Sequence, residues 1–92
     1  MTVSSKAGST TGKTKLTVSP AKTGSNTYSY KTAGTVEIPK LGTTVSGYTS
    51  WNGTDEITAK TNDDIVVVEL TSTDSKVVRA GKTKVTANGD SE

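Results

Sequence analysis

The sequence predicts an all-β sandwich of about seven short strands, and three observations carry that prediction. Nearly a third of the residues are Thr or Ser, and β-branched Thr, together with Val, suits the half-buried pleated surface of a strand. Apolar residues come in short runs with a period of two, the spacing at which side chains return to one face of a strand. Gly, Pro, Asn or Asp punctuates those runs every 8–12 residues or so, the rhythm of sandwiches and barrels. No segment combines a 3.6-residue apolar period with helix caps, so no substantial helix is expected.

Taken in order, residues 1–12 (MTVSSKAGSTTG) have the composition of a flexible arm. Val3 alone could anchor it, as an added edge strand. Lys13–Val18 is the first expected strand, with Leu16 and Val18 facing in and Lys13, Lys15 and Thr17 facing out. Pro20 has no N–H to give and ends it, and residues 22–26 turn. Tyr28 and Tyr30 then share one side of a strand at Thr27–Lys31, and Gly34 marks another turn. Thr35–Ile38 points Val36 and Ile38 inward before Pro39 and Gly42 close it. Gly42–Asp55 is the least regular stretch and ends in Asn52-Gly53, a turn signal of type I′ character. Glu56–Lys60 directs Ile57 and Ala59 inward, and Asn62-Asp63-Asp64 turns. Ile65–Thr71 is apolar on both faces over its first four residues, which suits a central strand. Lys76–Ala80 is its expected hairpin partner, Gly81 breaks the run, and Lys82–Ala87 adds a last strand with Val85 inward. The architecture is Ig-like, although the Cys–Trp–Cys spacing of antibody domains is absent.

With 92 residues there is room for one domain. It comprises the arm (1–12), the sandwich (13–88) and a polar tail (89–92). Only 29% of the residues are apolar, with no Phe and a single Trp. So polar a chain can be disordered, but its charge is balanced and its apolar residues cluster, which favours a folded core of Val, Ile, Leu and four aromatics. There is no Cys, which excludes disulfides and thiolate metal sites. No apolar stretch is long enough to span a membrane and the N-terminus lacks a signal-peptide core, so a soluble chain without a classical export signal is expected. Residues 1–46 carry six Lys and one Glu, a net +5, while residues 47–92 carry five cations and eight carboxylates, a net −3. That polarity either solvates two faces or steers neighbouring copies and acidic partners.

Catalytic chemistry finds little support. There is no His to serve as a neutral-pH acid or base and no Cys nucleophile. No nucleophile elbow frames any Ser, which leaves only a Lys-activated Ser as a nominal route. Asp55/Glu56 and Asp63/Asp64 are adjacent pairs, and neighbours on a strand point to opposite faces, so neither pair converges on one glycosidic bond. Asp55, Asp63, Asp64 and Asp74 could hold Ca²⁺ near strand ends, but no EF-hand-type loop is present. No phosphate-binding loop appears. Lys22 and Lys31 beside Tyr28 and Tyr30 could face a nucleic acid, but Lys on outer strand faces is ordinary edge protection. The expectation is therefore no catalytic residue, cofactor, metal or nucleic acid. Asn52-Gly53-Thr54 fits the N-glycosylation pattern, which has meaning only in a secreted chain. Trp51 is either the plug of a poor core or, with Tyr48, a sugar-stacking platform.

Residues 15–34 (KLTVSPAKTGSNTYSYKTAG) and 46–87 (SGYTSWNGTDEITAKTNDDIVVVELTSTDSKVVRAGKTKVTA) together resemble small Ig-like modules of tailed-phage virion proteins. The resemblance implies a non-enzymatic structural protein on the virion surface, a capsid decoration or head-fibre protein. Its partners would be the major capsid protein, its own copies as in a homotrimer, or both. Contacts are expected through the arm and the first strand, at Val3, Lys6, Lys13 and Lys15. The alternative is a carbohydrate-binding or adhesive surface module that reads a glycan through Tyr48 and Trp51.

Overall fold

The computed structural model describes residues 1–19, 22 and 24–88, so the expected stop at Pro20 and the tail at 89–92 lie outside the described residues. The chain is all-β, with strands β1 (Thr2–Ala7), β2 (Lys13–Ser19), β3 (Thr27–Ala33), β4 (Thr49–Trp51), β5 (Ile57–Thr58), β6 (Asp64–Leu70) and β7 (Val77–Lys84). They form two antiparallel sheets, one ordered β1-β2-β5 and the other β4-β3-β6-β7. In Ig lettering these are A-B-E and C′-C-F-G, with the fourth strand paired to the C-F-G sheet.

The alternation along β6 explains its sequence. Ile65 and Val67 point between the sheets, where they meet Val3, Leu16, Tyr28, Trp51, Ile57 and Val85. Val66, Val68 and Leu70 point the other way and pack with Val36 and Val77. A single sheet face would have been left wet there. Instead the irregular segment between β3 and β4 folds over it, with Val45 and Tyr48 against the same cluster. The molecule is thus three layers deep, and β6 is an inner strand of the middle layer. Its four consecutive residues Ile65 to Val68 have no exposed surface, each contributing about 1.5–3 kcal/mol of hydrophobic stabilisation.

Four expectations need correction. Residues 2–7 are not a free arm but strand β1, paired with β2 from Thr2 opposite Ser19 to Ala7 opposite Thr14. Val3, the one anchor the arm offered, is buried in the inter-sheet core. Gly81 does not break the last strand but lies inside β7, opposite Val67. A Cβ there would sit 2.7 Å from both the Met1 carbonyl oxygen and a Val3 methyl, so the glycine admits β1 against β7. Thr35–Ile38 is not a strand. Val36 gives its N–H to Asp64 rather than to a ladder, and Ile38 is 52% exposed. Asn52-Gly53 does turn the chain, but only Gly53 has a positive φ, 89°, whereas type I′ requires two. The Asn52 carboxamide oxygen organises the turn by accepting the N–H groups of Thr54 and Asp55 at 2.9 and 2.8 Å.

Candidate functional site

The residues expected to contact partners fall into two groups. On β2 the alternation holds as expected: Thr14 and Leu16 are buried while Lys15 and Thr17 are exposed. Lys6 of β1 lies directly opposite Lys15 in the ladder, so Lys6, Lys13 and Lys15 share the outer face of the three-stranded sheet. Three like charges held together on a flat sheet form a small basic face. Val3 is not part of it, because its side chain enters the core.

A second feature lies where the open edges of the two sheets face each other. Tyr28 on β3 pairs with Trp51 on β4, and their rings are tilted by 44° with centroids 5.6 Å apart. With Tyr30 and Ile57 they floor a groove of about 550 Å³, within the range of ligand and peptide sites. Its rim carries Asn52, Asp55 and Glu56. Trp51 is 8% exposed and donates its indole N–H to the Asp55 carbonyl at 2.8 Å. It is therefore the core plug, with one edge reaching the groove. Tyr48 packs against the other cluster, on the far face of the four-stranded sheet, and burial raises its phenol pKa. The structure does not bring Tyr48 and Trp51 together as one platform.

Sequence reasoning placed Tyr28 and Tyr30 on one side of a strand but not in a groove. The missing information was the pairing of β3 with the three-residue strand β4, which has no alternating run of its own. The Asn52 turn signal was the one local clue.

Three of the carboxylates have partners of their own. Glu56 accepts the Ser9 N–H on both oxygens at 3.0 and 2.9 Å, which lowers its pKa and ties the β1–β2 turn to the start of β5. Asp64 is held down to about 2, first by the Lys84 ammonium and next by the Val36 N–H, while its burial acts against them. Asp74 accepts the Thr71 hydroxyl. Among the described residues no three His, Cys, Asp or Glu side chains gather as a metal site would require.

A family model for the S-layer protein SbsC C-terminal domain matches residues 6–89. The chain belongs to this family. It is a family of small structural modules from a bacterial surface protein. No curated protein and no solved structure gives a significant match. The matched segment begins inside β1 and runs through β7, so the groove and all three lysines of the basic face, Lys6 being the first matched residue, belong to the SbsC-type domain itself.

Proposed function

We propose that this chain is a non-enzymatic building module of a protein coat on the outside of a cell or a phage particle. The family match across residues 6–89 is the observation that carries the reading. The geometry agrees with it, since the conspicuous features are a basic sheet face and a shallow groove. The similarity of residues 15–34 and 46–87 to tailed-phage modules supports the finer version, a capsid decoration or head-fibre protein whose partner is the major capsid protein. In that role Lys6, Lys13 and Lys15 meet an acidic coat surface, and their contribution is screened by salt.

Co-sedimentation tests both versions. The purified protein is mixed separately with undecorated phage capsids and with bacterial envelope fragments. Pelleting with either, weakened by salt and by Lys6→Glu with Lys15→Glu, is the expected result, and the particle that pulls the protein down decides between virion and cell. Protein left in the supernatant with both would refute the coat role.

A further inference from the structure

Asn52-Gly53 opens the loop between β4 and β5, and the fold needs both residues. Gly53 has a φ of 89°, and a Cβ there would come within 3.1 Å of the Tyr28 ring, so any larger residue is strained. Asn52 organises the turn through its side-chain oxygen, which accepts three hydrogen bonds. They come from the Thr54 N–H at 2.9 Å, the Asp55 N–H at 2.8 Å and the Thr54 hydroxyl at 3.1 Å. Asn52 is itself exposed, and among the described residues the Gly53 N–H has no hydrogen-bond partner.

This arrangement bears on a reaction intrinsic to asparagine, one of the thermolabile residues. The main-chain nitrogen that follows an Asn can attack its side-chain carbon, and before a Gly no Cβ obstructs the approach. The charge that develops in that attack falls on Oδ1, where three donors already stand at oxyanion-hole distance. The same three bonds hold the side chain in one place over its own main chain, which lowers the entropic cost of closing the ring. The second Asn-Gly of the chain, Asn88-Gly89, is an internal comparison. Asn88 is clamped by main-chain bonds to Lys13 and Gly12. Its carboxamide engages through the nitrogen, donating to the Gly8 carbonyl, rather than through the oxygen.

We propose that Asn52 is a self-modification site, at which the native turn promotes attack by the Gly53 nitrogen on the Asn52 side-chain carbon. The Gly53 N–H gives its proton to hydroxide, the new C–N bond forms, and the carbonyl pair moves onto Oδ1. When that pair returns, the C–Nδ2 bond breaks and Nδ2 takes a proton from water and leaves as ammonia. Water then opens the five-membered imide at either carbonyl, to leave Asp or isoAsp at position 52. Either product puts a carboxylate on the groove rim near Asp55. IsoAsp also lengthens the main chain between Trp51 and Asp55, whose carbonyl holds the indole N–H, so the groove is remodelled where Trp51 lines it.

The test incubates the intact protein in mildly alkaline buffer and follows tryptic peptides 41–60 and 85–92 by mass spectrometry. An endoproteinase that cuts before Asp but not before isoAsp separates the two products. In the native protein Asn52 should convert at least about tenfold faster than Asn88, and in guanidinium chloride the two rates should converge. Thr54→Val removes the hydroxyl donor at an exposed position and should slow native conversion by about fivefold, the worth of one ordinary hydrogen bond. Its denatured rate should stay that of the wild type. Equal native rates at the two sites would overturn the proposal. A lead of Asn52 that persists in guanidinium chloride would assign it to sequence alone and overturn the role of the turn, as would Thr54→Val converting at the wild-type rate. The native-to-denatured comparison needs no variant, so it decides even where Thr54→Val does not fold. The isoAsp fraction should show red-shifted Trp51 emission, and unchanged emission would overturn the remodelling of the groove. The inference is independent of the coat reading, since conversion is measured whether or not the protein pellets with either particle.

Discussion

Glu69 sits on the inter-sheet face of β6 with no exposed surface at all, in the ladder between Tyr28 and Arg79. One carboxylate oxygen is 2.9 Å from Arg79 Nη1 and the other accepts the Asn26 amide at 2.8 Å. The two ions are unequally placed, because the Arg79 side chain is 37% exposed and the Glu69 side chain 0%. Removing one partner of a buried pair is costly mainly through the charge left behind. Arg79→Met leaves a carboxylate that cannot reach water and should cost about 3 kcal/mol or more. Glu69→Gln keeps the shape and hydrogen-bonding capacity while Arg79 can still be hydrated, and should cost only about 1–2 kcal/mol. Urea denaturation of both variants measures the difference, and a larger loss for Glu69→Gln would refute this account. The same residue marks a limit of sequence reading. The run Ile65 to Val68 announced a central strand, but whether Glu69 faced water or core depended on how far the second layer extended past it.

At the scale of elements, the segment between β3 and β4 is the part that a period-two reading could not have placed. It covers Val66, Val68 and Val77 on the outer sheet face without forming a strand of its own, and its first anchor is electrostatic. Asp64 holds the Val36 N–H and is itself held by Lys84 at 2.8 Å and Lys82 at 3.3 Å. Its folded pKa of about 2 lies below its ordinary value of 3.8. A carboxylate depressed in this way contributes stability that is fully present above the ordinary value and is lost as pH falls through the folded one. Glu56, lowered by the Ser9 N–H, acts in the same direction. Melting temperature should therefore drop between about pH 4 and pH 2, and Asp64→Ala should lower it at pH 7 and flatten that drop. Hydrogen exchange locates the effect: the Val36 amide should exchange faster in Asp64→Ala while amides of β2 are little changed. Equal acceleration in both places would show that the anchor is not local. The strands themselves are legible where alternation is strong, as in β2 and β3, and in β6 from its unbroken apolar run. Alternation fails where tertiary packing overrides the local signal: at Gly81, where the missing Cβ makes room for β1, and at Ile38, where Pro39 and the Val36 anchor lift the chain off the sheet.

The whole molecule is closed by its first strand. β1 supplies Val3 to the inter-sheet core, with Met1 packed beside it, and Ser5 accepts the Thr86 N–H at 2.9 Å, joining the two chain ends. Glycine at position 81 leaves a recess that only β1 fills. Composition alone makes residues 1–12 a flexible arm, whereas the structure makes residues 2–7 part of what holds the fold together. Removing residues 2–7 would uncover β2 along its length, empty the recess at Gly81 and expose apolar surface from both sheets. Because β6 belongs to both packing clusters, loss on the inter-sheet side should weaken the outer layer as well, and the damage should appear as one transition. The truncated chain should thus lose several kcal/mol and unfold in whole or large part at 37 °C. Trp51 emission reports the inter-sheet cluster and the NMR ring signals of Tyr48 the outer one, so following both through a denaturant titration of the full chain should give a single shared midpoint. A truncated protein with the full-length midpoint would mean that β1 is merely laid on the surface, and two separate midpoints in the full chain would mean that the outer layer folds independently of the sandwich beneath it.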